Sequence, residues 1–212
     1  MKMTVFGATG PTGLKLVELA LDEDWEVKAF VRDAKKLVVR GKKPTEIVTG
    51  DVLDAGAVDR AVAGVGVVVV VLGYRPDTSP KVLAQGTANI ISAMKRHGVK
   101  RLVVQSSYPM SGSAEGMKFL AQMGMEGEKL EPMKPMIDDK IQQENEVRGS
   151  GLDWTVVRPL ILTDGPRTKI YRVGEKLDVN LSSNISRADV ADFILKIIKG
   201  NEWVGKTVTV AY

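Results

Sequence analysis

The sequence contains no cysteine and a single histidine. The first absence excludes disulfides, thiolate zinc sites and a cysteine nucleophile. The second leaves no Ser-His-Asp triad to build, because His97 falls at a lysine-rich helix end, where a dipole contact or plain solvation accounts for it. Long hydrophobic runs are also missing. The longest, residues 65–73, spans nine residues and is too short to cross a bilayer. The first apolar segment begins within two or three residues of Met1, leaving no room for a targeting leader, so a cytoplasmic setting without membrane attachment is expected. Basic residues outnumber acidic ones, 30 to 26, giving a net charge of +4. They are dispersed, which suits an anionic small molecule; a nucleic-acid surface needs a denser stripe. The acid runs at 22–24 and 138–139 read as solvated helix ends, and no metal is expected from their spacing.

What is present is an alternation of apolar strands and helical stretches from end to end, the pattern of a mostly parallel sheet covered on both faces. The 212 residues suffice for one domain with a full core. About seven strands are predicted, at 2–6, 26–31, 45–49, 66–72, 101–105, 154–158 and 207–211. Helices are predicted near 11–23, 54–63, 79–97, 137–149 and 187–199. This is a doubly wound, Rossmann-like α/β fold. Ser79 before Pro80 and Ser186 before Asp189 read as helix starts, and Gly98 and Gly200 as helix ends. Two stretches interrupt the alternation. Residues 110–136 hold six of the nine methionines. They form either a mobile functional loop or an amphipathic helix with Met117, Leu120, Ala121 and Gly124 on one face, and segment 108–136 becomes a substrate-side lid. Residues 164–184 form a small capping region.

The most informative stretch is Val-Phe-Gly-Ala-Thr-Gly-Pro-Thr-Gly, residues 5–13. A short apolar strand runs into glycines spaced G-x-x-G-x-x-G, and a helix follows at once. Gly7 makes the tight turn, Gly10 lets backbone approach a pyrophosphate, and Gly13 lets helix and strand pack closely. Pro11 fits an early helical position, and Thr9 and Thr12 lie within the cradle. Arg32 stands nineteen residues after Gly13, at the end of the second strand. An acid there would bind a ribose 2′-hydroxyl; an arginine there, with Lys35 and Lys36 nearby, pairs with a 2′-phosphate, so NADP(H) is the expected cofactor. A solvated basic turn is the plain alternative. Asp51 and the Val52 backbone would meet the adenine edge, although Asp51 also reads as a helix N-cap. Leu72 and Gly73 end the fourth strand at the switch point beside the first. Gln105-Ser106-Ser107 ends the fifth strand near the expected nicotinamide, and Pro159 ends the sixth.

Taken together, these motifs resemble the atypical short-chain dehydrogenase/reductases, most closely those of the biliverdin reductase B (flavin reductase) type. The resemblance covers nearly the whole chain. It is carried by residues 7–13, Val-Arg-Asp at 31–33, Gly-Asp-Val-Leu at 50–53, Val-Ala-Gly at 62–64 and Leu-Gly-Tyr-Arg-Pro-Asp-Thr-Ser-Pro at 72–80. Ala-Met-Lys-Arg-His-Gly-Val at 93–99, Ser-Gly-Leu-Asp at 150–153 and Ile-Ser-Arg-Ala-Asp-Val-Ala at 185–191 complete it. The resemblance implies that Ser107 occupies the active-site serine position and that Lys140 is the lysine binding the nicotinamide ribose. It also exposes two departures. Met136 stands where many relatives have the catalytic tyrosine of Tyr-x-x-x-Lys, and Ile161 stands near a histidine of the flavin reductases.

Those departures select among reactions. Reducing an isolated ketone requires a proton donor at hand, whereas hydride delivery to a conjugated ring spreads the charge and needs mainly orientation. The expected activity is therefore an NADPH-dependent reductase of FMN, FAD, riboflavin or a similar planar acceptor, such as a quinone or tetrapyrrole. The alternative is a non-catalytic NADP(H) redox sensor. A monomer or small homo-oligomer is expected, without nucleic acid.

Overall fold

The computed structural model describes residues 1–74 and 81–212. Strand β1 (Lys2–Phe6) leads into α1 (Pro11–Asp22) and β2 (Glu26–Val31). Strand β3 (Glu46–Thr49), α2 (Ala55–Val62), β4 (Val67–Val70), α3 (Val82–His97) and β5 (Arg101–Gln105) follow. After α4 (Ala114–Gln122) and a 3₁₀ segment (Gly127–Met133) come α5 (Lys134–Arg148), β6 (Asp153–Pro159) and β7 (Ile161–Thr163). The chain continues through β8 (Arg172–Gly174), β9 (Asn184–Ser186), α6 (Arg187–Lys199) and β10 (Lys206–Ala211).

The main sheet has eight strands in the order β3-β2-β1-β4-β5-β6-β10-β8. All its pairings are parallel except β10 with β8. Four consecutive valines form β4, and all are buried, as a central strand covered on both faces requires. One apolar layer lies under α1 and α6, where Leu16, Val17 and Ala20 meet Phe193, Ile194 and Ile197. The other lies under α2 and α3, built from Val58, Ala61, Ile90 and Met94. Strands are added outward in one direction from β1 to β3 and in the other from β4 onward. The turns leaving β1 and β4 therefore diverge and leave a crevice at their C-terminal ends.

All seven expected strands are present; β8 is an addition, and β7 pairs with β9 in a small parallel sheet of its own. Each is three residues long, below what period-two patterning can register. Residues 110–136 are structured. Ser113 caps α4 through the Gly116 N–H, and Phe119 and Leu120 are buried, so the inward face differs from the expected one: Ala121 and Gly124 are exposed. The cap of α2 is Asp54, whose carboxylate accepts the Gly56 and Ala57 N–H groups. Asp51 instead accepts the Leu53 N–H in the preceding turn. Gly98 closes α3 in the left-handed region, but Gly200 has φ −80° and meets no such need. The Ser79–Pro80 helix start lies outside the described residues. Among the described residues, no helix is long and apolar enough to cross a membrane.

Two buried polar groups lock the ends of this framework. The Lys28 Nζ donates to the carbonyl of Ala63 at 2.9 Å, at the C-terminal end of α2, and pairs with Glu46. Asp189 is fully buried and accepts the N–H groups of Thr168 and Lys169 and the hydroxyls of Thr168, Ser186 and Tyr212. Ser186 Oγ caps α6 through the Asp189 N–H, as the sequence indicates. Burial alone would push the Asp189 carboxyl up, but the Tyr212 hydroxyl and the Lys169 and Thr168 donors outweigh it and hold it below the ordinary range. The stability it confers is thus present above the unfolded aspartate value, about 3.9, and lost as acidification reaches its lower folded value. Asp189→Ala is expected to cost about 2–4 kcal/mol in urea unfolding at pH 7, because two backbone donors lose their acceptor, and the gap to the wild type should narrow below about pH 4. An unchanged urea midpoint would contradict this.

Candidate active site

The crevice is shaped by how closely backbone meets backbone. At Gly7, φ is 90°, and a Cβ would sit 2.6 Å from the carbonyl oxygen of Val71, just beyond β4. At Gly13 a Cβ would sit 2.1 Å from the Gly7 carbonyl oxygen. Neither position admits a side chain. Gly10 differs, since its Cβ would meet only the Gly7 oxygen, at 3.2 Å. Its bareness opens the crevice wall.

Gly10 is also the N-cap of α1, and it offers no side-chain cap; Pro11 follows, and no acid occupies the first turn. By contrast Asp54, Ser113 and Ser186 cap α2, α4 and α6. The first-turn N–H groups of α1 are therefore left for an external acceptor, and the helix dipole favours an anion there.

A cavity of about 310 Å³ occupies the crevice. Gly7, Thr9, Gly10, Pro11 and Thr12 form its floor, and Arg32 stands at the β2 end. Asp51, Val52, Leu72 and Gly73 add the walls above β3 and β4. Ten of the expected cofactor contacts thus converge on one cavity, with Gly13 directly behind it. Arg32 is exposed. Its neighbour Asp33 turns away and accepts the Lys35 N–H at 2.9 Å. Phe30, Tyr74, Gln105, Leu162 and Arg187 also line the cavity; none figures in the expected cofactor set. Gln105 Oε1 is buried with no hydrogen-bond partner among the described residues, an acceptor suited to a ligand amide. The uncapped helix end, the bare Gly10, the arginine at the rim and this orphaned oxygen fit a dinucleotide.

The other expected residues lie off this wall. Lys35 is exposed on the 3₁₀ turn (Ala34–Lys36) after β2. Ser106 and Pro159 are buried at the ends of β5 and β6, and Ser107 is half-buried beside them. Lys140 is buried in α5, its Nζ 3.5 Å from the Gln105 carbonyl oxygen and 3.4 Å from Gln143 Oε1. Met136 is half-buried one turn earlier, and Ile161 is exposed. Tyr108 packs its ring edge-on against Phe119, and burial pushes its hydroxyl up. His97 is far from this chemistry, 3.1 Å from Asp59 at the α3–α2 contact.

Beneath the site α5 carries a polar network whose extent the sequence hides. Asp139 is not a solvated helix end: it is 1% exposed and accepts the N–H groups of Leu83 and Ala84, capping α3 from another helix. Glu144 is equally buried and takes a two-pronged bond from Arg158 at 2.9 and 2.6 Å, with Arg148 adding a third contact. Burial would raise its carboxyl, yet Arg158 holds it below the usual range. Helix periodicity puts Asp139, Lys140, Gln143 and Glu144 on one face, the signal that could have grouped them; only Lys140 stands out as functional in the sequence, through the family resemblance.

Comparison with known proteins agrees with this geometry. The chain matches a protein family described as NAD(P)H-binding over residues 7–201, and it belongs to that family. It is 31% identical to an uncharacterized chloroplastic protein of Arabidopsis thaliana over 225 aligned positions, covering 99% of this chain and 76% of the plant protein. Of six further curated relatives it spans only 33% to 64% of their length. Among solved structures, the anaerobilin reductase ChuY of Escherichia coli O157:H7 superposes with a TM-score of 0.79 at 22% identity, over 99% of this chain and 96% of that one. A short-chain dehydrogenase/reductase of Veillonella parvula in complex with NADP gives 0.75 at 18% identity, over 100% and 94%. Both share the Rossmann-like fold.

Two outcomes follow from the packing. Gly10→Ala is expected to fold with nearly unchanged thermal stability while weakening NAD(P)H binding about tenfold or more, measured by calorimetry; Gly13→Ala should lose both stability and binding. Equal thermal loss in the two variants would refute this division. Burial lowers Lys140 to about 8 despite the opposing charges of Glu144 and Asp139, so its amine is penalised when protonated. Stability should therefore rise between about pH 8 and pH 10, by up to about 3 kcal/mol, and Lys140→Met should flatten that rise in parallel unfolding titrations.

Proposed function

We propose that this protein is an NADPH-dependent reductase that passes hydride to a planar conjugated acceptor of the flavin kind, close in type to biliverdin reductase B. The observation that carries the cofactor reading is the uncapped, acid-free start of α1 opening into the same cavity as the exposed Arg32. First-turn N–H groups suit a diphosphate, and a guanidinium at the β2 end suits a 2′-phosphate through charge-assisted bonds. The NADP bound to the Veillonella relative supports this choice.

When bound, the reduced nicotinamide supplies a hydride, and the residues of this chain hold the two rings in register. Gln105 offers its orphaned Oε1 as an acceptor for a carboxamide N–H. Lys140 braces the β5 end from beneath, its buried Nζ donating to the Gln105 carbonyl and to Gln143 Oε1, which holds the amine in place. Ser107, half-buried just past the end of β5, is the hydroxyl that the family resemblance assigns to the acceptor side. Met136 offers no proton, and Tyr74 is the one phenol on the cavity wall among the described residues. Hydride arriving on a flavin ring leaves a delocalised anion that water protonates, so the reaction closes as NADPH, a proton and oxidised flavin giving NADP⁺ and dihydroflavin. The anaerobilin reductase named among the fold relatives lends support to a reductase reading.

The missing tyrosine at 136 supports a second reading, a redox sensor that binds NADP(H) without turnover. Stopped-flow absorbance at the NADPH band decides between them. Oxidation of NADPH by FMN or riboflavin, faster than with NADH, is expected, with Arg32→Glu abolishing that preference and Tyr74→Phe within about twofold of wild type. Tight cofactor binding with no oxidation by any flavin, quinone or tetrapyrrole would leave the sensor.

A further inference from the structure

Arg187 opens α6 and lines the cavity together with Leu162 and Gln105. Gln105 ends β5, and Leu162 lies just after β6. These mark the side of the switch point opposite Arg32, which ends β2. The cavity is therefore lined by one arginine toward each end.

Arg187 is held in place without being neutralised by burial. Its Nη1 donates to Asp164 Oδ1 at 2.7 Å, and the Asp164 side chain is 85% exposed. An ion pair with so exposed a carboxylate is worth little and is readily shared. No other hydrogen bond engages the Arg187 guanidinium among the described residues, so most of its five N–H donors remain for a ligand.

In the proposed cofactor complex the other anions have their partners: the start of α1 takes the diphosphate, and Arg32 takes the 2′-phosphate. Arg187 is the cation left over, and it stands at the end where the rings meet. Resting on the reading above, we infer that Arg187, steadied by Asp164, binds an anionic substituent of the acceptor, a phosphate or carboxylate. The preferred acceptors are then anionic planar molecules, with neutral ones bound weakly.

FMN and riboflavin differ by one phosphate and give a direct test. Each is titrated by flavin fluorescence into protein saturated with NADP⁺, at physiological ionic strength. The wild type is expected to bind FMN about tenfold more tightly than riboflavin. Arg187→Met should erase that preference while riboflavin and NADP⁺ affinities stay within about twofold. Arg187→Lys keeps the charge without the fork and should retain part of the preference. Equal binding of both flavins by the wild type, or an unchanged ratio in Arg187→Met, overturns the assignment of Arg187 and leaves the flavin reading intact. Loss of NADP⁺ affinity in step with FMN assigns Arg187 to the cofactor and also overturns it. Binding of neither flavin overturns the flavin reading itself.

Discussion

The whole arrangement depends on backbone meeting backbone where β1 turns into α1. The Gly7 turn lies against the end of β4, and the first turn of α1 lies against Gly7, both closer than any Cβ allows. Those two contacts fix the helix axis over the sheet and aim its N-terminus into the crevice. Everything else at the site is referred to that axis. The same approach sets how α1 and α6 share the apolar layer beneath them, so the position of Arg187 on the far wall is tied to glycines more than 170 residues away in sequence.

Helix capping distributes work in the molecule. Three helices carry their own caps, at Asp54, Ser113 and Ser186, and these ends are closed to ligands. Two do not. At α1 the open end faces the cavity and is available for binding. At α3 the open end is filled by Asp139 from α5, so that the helix behind the fourth strand and the helix behind the fifth are joined by a buried carboxylate. Such a bond costs desolvation, and two backbone donors at a helix N-terminus offset it. It anchors the helix that carries Lys140, Gln143 and Glu144 under the end of β5.

Much of this was legible in the sequence, and the reasons are specific. Strong periodic signals identified the seven long strands and five helices, because runs such as 67–70 admit no other placement. The glycine spacing located the cradle, because two of its three positions are dictated by close contact rather than by ligand. Other features were hidden for equally physical reasons. Three-residue strands carry no period, so β8 and the β7–β9 pair were invisible. Asp139 looked solvated because its partners, Leu83 and Ala84, are 56 and 55 residues away in sequence. Gln105 and Arg187 were in plain view as letters, but only folding brings them to one cavity, and Arg187 stood out only as part of the motif at 185–191. The family resemblance placed Lys140 near the chemistry; in the fold its amine lies beneath the wall rather than on it.

The two sequestered amines have a use beyond the site. Lys28 lies between the β2–β3 edge and the end of α2, and Lys140 lies under β5, on opposite sides of the central strand. Amine-acylating reagents mark exposed lysines within minutes and spare ones shut inside a protein. Mass spectrometry of the acylated chain would thus time the breathing of each flank separately, with no introduced probe, and would tell which half of the sheet parts first.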